Sequence, residues 1–98
     1  MPLLTRKWHF LDYIVSAAPK DHGVYALWRG NDLIFVGVTG PGESIRTCLL
    51  RHFDDERIVN EQVDHFSWEL PPDPEARRDE KLTRYKITHG RLPIGNIS

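Results

Sequence analysis

The fold of this chain is decided by the stretch GVYALWRGNDLIFVG, residues 23–37. Residues 24–28 and 33–38 are two runs rich in β-branched and aromatic side chains, a composition that is typical of strands. Between the runs lie Gly30 and Asn31, which accept the positive φ angles that tight turns require. The stretch therefore predicts a β-hairpin.

Helical patterns flank this hairpin on both sides. Upstream, the apolar residues at 8–15 predict a short N-terminal helix that ends near Ala18-Pro19, because proline disfavours the helical conformation in the residue before it. Downstream, Ser44 is a candidate N-cap for a helix over 45–53, where apolar residues recur at helical spacing. The acidic residues 54–56 predict a solvated loop after that helix.

The last third of the chain predicts one more strand and one more helix. Residues 66–70 alternate between apolar and polar side chains, which suits a half-buried strand. Asp73 is a candidate N-cap, followed by Pro74 at the first helical position, and Gly90 ends the helix. We therefore predict an α+β fold: a small, three-stranded, mainly antiparallel sheet flanked by helices.

Length and composition indicate one soluble domain over residues 1–98. No apolar run approaches the roughly 20 residues that a membrane span requires, and the first seven residues are too short and too polar for a signal peptide. The single cysteine, Cys48, excludes an internal disulfide, and no Cys/His cluster has zinc spacing. We expect a cytoplasmic protein without membrane association.

Charge is close to balanced over the whole chain, at 13 Lys and Arg against 14 Asp and Glu. Binding to a nucleic-acid backbone depends mainly on Lys and Arg that neutralise phosphates, so we expect such a role to need a dimer, a partner or a metal. Basic residues are concentrated in the last predicted helix and just after it. They form either a solvated helix face or a surface that follows a phosphate backbone. The candidate nucleic-acid contacts are Arg77, Arg78, Lys81, Arg84 and Arg91.

The order of elements and several motifs resemble the GIY-YIG nuclease superfamily. This superfamily includes homing endonucleases, some restriction enzymes and the N-terminal domain of a bacterial excision-repair endonuclease subunit. The resemblance extends from about Pro19 to Asn96. The matching positions are the triplets Gly23-Val24-Tyr25 and Phe35-Val36-Gly37, followed by His52, Glu80 and the closing Pro93-Ile94-Gly95-Asn96.

The resemblance implies an endonuclease that hydrolyses DNA phosphodiester bonds with Mg²⁺ or Mn²⁺. Glu80 would hold the metal, which acts as a Lewis acid on the phosphate. Tyr25 would relay or accept the proton of the attacking water, and His52 would assist proton transfer. Asn96 would keep the hydrogen-bond network on the metal side in place.

Two positions depart from the superfamily pattern. Cys48 stands four residues before the histidine, where members usually carry an arginine that clamps the phosphate, and Phe35 replaces the second tyrosine. Arg46 and Arg51 are the two alternatives for the clamp. The leading expectation remains an endonuclease, one whose cutting is weak or depends on a partner. The departures motivate an alternative, a domain of this fold that binds nucleic acid or a protein without cutting. The expected partners are DNA and either a protein partner or a transient homodimer.

Overall fold

The computed structural model describes residues 7–96. The strands are β1 (Trp8–His9), β2 (Val24–Arg29), β3 (Asp32–Val38) and β4 (His65–Glu69). The helices are α1 (Asp12–Val15), α2 (Ile45–His52), α3 (Glu56–Asn60) and α4 (Pro74–His89), and a 3-10 helix covers Ile94–Asn96. The predicted α+β fold class is confirmed.

The strands form one antiparallel sheet in the order β1-β4-β2-β3. The predicted hairpin is confirmed as β2 and β3, with Tyr25 opposite Gly37, and its turn contains Gly30 at a φ of 59°. On its other side β2 pairs with β4, where Tyr25 lies opposite Trp68. Strand β2, which carries Tyr25, is therefore an interior strand of the sheet, between β3 and β4.

The prediction of three strands is wrong, because the start of the expected N-terminal helix is a fourth strand. Trp8 pairs with Phe66 of β4, and the Phe10 amide donates a hydrogen bond to the carbonyl of Asp64 at 2.9 Å. Only Asp12–Val15 is helical. The edge of β4 offers backbone partners to this segment, and such tertiary pairing outweighs the local helical pattern.

The segment after α2 also differs from the prediction. Ser44 caps α2 as expected, in a reciprocal capping box with Thr47. The predicted solvated loop at 54–56, however, leads directly into α3, since the Asp55 side chain accepts a hydrogen bond from the Arg57 amide and caps this short helix. Ile58 is buried and fixes α3 against the core, which is why a helix forms here.

The predicted limits of α4 are confirmed. The Asp73 side chain accepts a hydrogen bond from the Ala76 amide at 3.1 Å, and Pro74 occupies the first turn. The helix ends at Gly90, whose φ of 77° lies in the left-handed region that glycine adopts without strain. No helix between residues 7 and 96 has the length and apolar character needed to cross a membrane.

Helices cover both faces of the sheet. One face carries Tyr25, Leu27 and Phe66, which pack with buried residues of α1, α2 and α3. The other face carries Val24, Ala26 and Val36, which pack against Leu82 of α4. Because side chains alternate along a strand, Tyr25 packs on the face of the sheet opposite to the one that Leu82 of α4 covers. A cavity beside β3 nevertheless has both Tyr25 and residues of α4 in its lining.

Candidate functional site

The position of the Tyr25 ring depends on Gly37 of the neighbouring strand, which has no side chain. It is 5% exposed, and its ring lies across Gly37 of β3. A Cβ atom at position 37 would come within 2.5 Å of the ring carbon Cζ and 2.6 Å of the hydroxyl oxygen. The glycine therefore opens the space through which the tyrosine reaches α2.

The Tyr25 hydroxyl lies 2.8 Å from Nε2 of His52, the last residue of α2. Burial raises the pKa of Tyr25 well above its ordinary value, so the hydroxyl keeps its proton. Burial also lowers the pKa of His52, which favours the neutral imidazole. We therefore assign the hydroxyl as the donor, Nε2 as the acceptor and the ring proton to Nδ1.

Nδ1 of His52 is buried and faces a carboxylate at a long distance. Oδ2 of Asp55, three residues on, lies 3.6 Å away, which is beyond a normal hydrogen bond. The two rings and this carboxylate form a polar row, from β2 through the end of α2 to the cap of α3. The predicted pair of Tyr25 and His52 is thus brought together, and Asp55 is an addition that the sequence analysis missed. Its signal was the i,i+3 spacing from the histidine.

This polar row borders a cavity of about 410 Å³. Cys48, four residues before His52, is buried. Burial is the main cause of the raised pKa of its thiol, and the negative charge of Glu43 raises this pKa further. The Arg51 guanidinium lies 3.5 Å from the sulfur and forms an ion pair with Glu43. The complete lining is Tyr25, Val38, Glu43, Cys48, Arg51, His52, Asp54 and Asp55.

The two arginines predicted as alternatives for the phosphate clamp have different positions. Arg51 lines the cavity, whereas Arg46 donates from Nε to the carbonyl of Ala18 at 2.9 Å and ties α2 to the end of the α1 region. The Arg51 guanidinium already forms an ion pair with Glu43, so it would have to leave this partner to bind a phosphate. The Glu43 carboxylate also accepts from the Gly40 amide at 2.8 Å, and this bond is the largest cause of its lowered pKa.

Asn96 closes the outer edge of the sheet. Its Oδ1 accepts from the Val36 amide and its Nδ2 donates to the Val36 carbonyl, both at 2.9 Å. The side chain thus takes the place of a further strand beside β3. It also lines a second cavity of about 430 Å³ next to Tyr25 and Gly37, to which α4 contributes Arg78, Asp79 and Leu82.

Glu80, the predicted metal ligand, is not brought to Tyr25. It lies two residues before Leu82, about 200° around the helix, and so it points away from the sheet. Its carboxylate forms ion pairs with Arg77 at 2.8 Å and with Arg84 at 3.6 Å. Among residues 7–96, no group of three or more His, Cys, Asp or Glu side chains is arranged to hold a metal ion.

To hold the magnesium ion that the resemblance implies, the Glu80 carboxylate would have to exchange its two ion pairs for the metal. Mg²⁺ prefers one or two carboxylates that share its site with the substrate phosphate, and this carboxylate faces two guanidinium groups instead. The α4 carboxylate that shares a cavity with Tyr25 is Asp79, which pairs with Arg78 at 3.1 Å. The angular position of each residue around α4 relative to Leu82 distinguishes Asp79 from its neighbour Glu80, and this could have been derived from the sequence.

The predicted nucleic-acid contacts on α4 divide into two kinds. Arg77 is a structural residue: its Nε and Nη2 bind the two carboxylate oxygens of buried Glu69 at 2.6 Å and 3.2 Å. Lys81 has a lowered pKa, first from desolvation and then from the charge of Arg77. Arg84 and Arg91 are exposed, and the Arg84 side chain is 73% accessible to solvent.

Charge is unevenly distributed along the chain. Residues 74–91 carry six Lys and Arg against three Asp and Glu, a net charge of +3. Because the whole chain has a net charge of −1, the remaining residues carry −4.

No protein-family model matches the chain, and comparison with curated proteins also finds no match.

Proposed function

We propose that this chain is a nucleic-acid-binding domain of GIY-YIG-like architecture, with α4 and the residues just after it as the contact surface. The observation that carries this proposal is the charge separation: +3 on residues 74–91 against −4 on the rest of the chain. A phosphate backbone is attracted to such a face and repelled by the remainder of the surface. One orientation of the domain on its ligand is thereby favoured.

The exposed cations on this face suit phosphate contacts. Arg84 has only a long ion pair to Glu80, at 3.6 Å, so its guanidinium is available to a stronger anionic partner. Lys86 and Arg91 are exposed further along the same segment. Arg77, in contrast, is committed to Glu69 and supports the surface from below.

Binding without metal-dependent cutting is supported by the arrangement of the residues expected to cut. Tyr25 lies on one side of the sheet, and Glu80 points away from it on the outer side of α4. The tyrosine hydroxyl is held protonated by burial, whereas a proton acceptor needs a lowered pKa. Cys48 stands where the clamp is expected, and Arg51 beside it is paired with Glu43.

The test is fluorescence anisotropy with a labelled DNA duplex at low and moderate salt. We expect the double charge reversal Arg84→Glu and Lys86→Glu to weaken binding more than tenfold. The matched control for Arg84→Glu alone is Arg57→Glu, a similarly exposed arginine on α3, on the other face of the sheet. Equal losses in Arg84→Glu and Arg57→Glu, or no measurable binding by the wild-type protein to either a duplex or a single strand, would contradict the proposal.

A second candidate, an endonuclease, is favoured by one specific observation. The bonded pair of Tyr25 and His52 borders an open cavity, with Arg51 on the same lining. Nicking of supercoiled plasmid in Mg²⁺, Mn²⁺ or EDTA tests this candidate, with Tyr25→Phe, Glu80→Ala and Asp79→Asn as variants. Metal-dependent nicking lost in Tyr25→Phe and Asp79→Asn but kept in Glu80→Ala would support cutting at this pair.

A gain-of-function variant distinguishes the two candidates further. Cys48→Arg restores the residue type that the superfamily pattern carries at this position, within reach of Glu43. If the protein cuts weakly because it lacks an arginine that binds the phosphate, this variant nicks the plasmid at a higher rate. If the domain binds only, the variant remains inactive, although its binding to the duplex is unchanged or tighter.

A further inference from the structure

A cleft of about 370 Å³ lies between the β2–β3 turn and the C-terminal half of α4, apart from the cavities next to Tyr25. Its lining includes Trp28, Arg29 and Asn31 from the hairpin, together with Tyr85, His89 and Arg91. The cleft thus combines aromatic rings with cations, on the basic side of the molecule. Neither Tyr85 nor the hairpin tip has a part in the contacts described above.

Two aromatic rings on the α4 side form a face-to-face stack, which leaves only its outer ring faces open to a further ring. The rings of Tyr85 and His89, one helical turn apart, stack with centroids 4.0 Å apart and an interplanar angle of 15°. Nδ1 of His89 lies 3.2 Å from the Tyr85 carbonyl, which further fixes the imidazole. His89 is exposed, so this stack extends towards solvent at the edge of the cleft.

Cations and polar groups surround these rings. Arg29 donates to the Glu61 carbonyl at 3.1 Å and forms an ion pair with the Glu61 carboxylate at 3.6 Å, and its side chain is 45% exposed. Arg91, which is exposed, donates to the Leu92 carbonyl at 3.2 Å, so both guanidinium groups are positioned. On the hairpin side the Lys7 ammonium lies 4.2 Å from the Trp28 ring. The acidic group on the lining is Asp32.

We infer that this cleft binds an unpaired nucleotide of a single-stranded nucleic acid. The base stacks on the outer face of exposed His89, which Tyr85 supports from the other side, and the flanking phosphates contact Arg91 and Arg29. The inference rests on the proposed function, which supplies the basic surface beside the cleft. It adds the form of the ligand, because an aromatic surface of this kind serves a base that has left the duplex stack.

The combination of features favours a single strand over a duplex. In a duplex the faces of the bases are covered by their neighbours, and a flat ring pair gains nothing from them. In a single strand every base has a free π-face, so stacking is tolerant of sequence, and the guanidinium groups follow the backbone. Oδ1 of Asn31 accepts a hydrogen bond from Lys7 at 3.2 Å, and the amide nitrogen of the same side chain can donate to a base edge within the cleft.

The experiment compares a labelled oligodeoxythymidine with a blunt duplex of the same length, by anisotropy at one fixed salt concentration. His89 is exposed, so His89→Ala leaves the fold intact, and thermal unfolding checks this. We expect His89→Ala to weaken binding to the single strand by about 5- to 100-fold, with little change for the duplex. Arg84→Ala, on the same helix but outside the cleft, is the matched control and weakens both ligands alike.

Each other outcome has a definite meaning. If His89→Ala weakens both ligands equally, or neither, while Arg84→Ala weakens both, the cleft inference is wrong and the proposed function stands. If the wild-type protein binds neither ligand, both are wrong. Binding of the single strand also quenches the part of the tryptophan fluorescence that comes from Trp28 on the cleft lining, one of three tryptophans in the chain. This quenching is lost in Arg91→Ala together with the affinity.

Discussion

The Tyr25 hydroxyl donates a hydrogen bond to Nε2 of His52 across 2.8 Å, and this bond connects the central strand β2 to the end of α2. Both groups are neutral, because burial raises the pKa of the tyrosine and lowers that of the histidine. The pair lies where the apolar cluster that contains Tyr25 meets the cavity lined by Glu43, Arg51 and Asp55. Its contribution to stability therefore depends on the imidazole remaining uncharged.

We expect the contribution of His52 to stability to decrease in acid. The folded protein holds the pKa of His52 below its ordinary value of 6.5, with desolvation outweighing the opposing effect of Asp55. The unfolded chain therefore binds the proton more readily than the folded one. The stabilising contribution is complete above about pH 6.5 and falls as the pH drops below it, by at most about 1.4 kcal/mol per pH unit.

Urea unfolding of the wild-type protein and of His52→Gln measures this effect. Other titrating groups are common to both proteins, so their contributions cancel in the difference between the two free energies of unfolding. That difference shrinks between about pH 7.5 and about pH 5.5 if the prediction holds. A difference that stays constant or grows on acidification would show that burial of the imidazole is not the controlling factor.

Asn96 makes a separate prediction at the outer edge of the sheet. Asn96→Asp preserves size but removes the donor that binds the Val36 carbonyl, and it places a carboxylate beside that oxygen. We expect a loss of about 1–3 kcal/mol in the free energy of unfolding, because a backbone group loses its partner in a partly buried position. Asn96→Ser serves as comparison and is expected to cost less than the aspartate, since it adds no charge.

The hairpin and the helix ends were predictable from the sequence because they depend on local chemistry. Gly30 in the turn, the Ser44 cap and the Asp73-Pro74 start act through neighbouring backbone groups alone. The strand at Trp8 and the helix that buries Ile58 were not predictable, since each depends on a partner far away in the sequence. Local patterns carry no information on which edge or core a segment will meet.

The site was predictable to a similar extent. Tyr25 and His52 come together because each is fixed by an element that the sequence specifies well. Glu80 and Asp79 are adjacent in sequence, and only the phase of α4 against the sheet, set by Leu82, decides which of them reaches the cavity at Gly37. Similarly, Arg77 has the same sequence context as its basic neighbours, and its role follows from the burial of Glu69.

Arg77 and Glu69 therefore lead to a prediction about stability. Arg77→Ala removes a bidentate partner of a carboxylate that is 7% exposed, and the loss of such a partner by a buried charge is costly. We expect the free energy of unfolding to fall by about 3–5 kcal/mol. In the double variant Arg77→Met and Glu69→Leu most of this loss is recovered. An Arg77→Ala protein as stable as the wild type would show that the pair is unimportant for the fold.

Arg84 leads to the opposite prediction, a change in binding without a change in stability. Its side chain is 73% exposed, and its ion pair at 3.6 Å is of the surface kind, so Arg84→Ala leaves the unfolding midpoint unaltered. If Arg84 contacts a phosphate, the slope of log K against log salt concentration for a DNA duplex becomes shallower by about one unit. Arg57→Ala, on the other face, is expected to leave this slope unchanged. Equal slopes for the wild type and Arg84→Ala would remove Arg84 from the interface and place the phosphate contacts elsewhere on the chain.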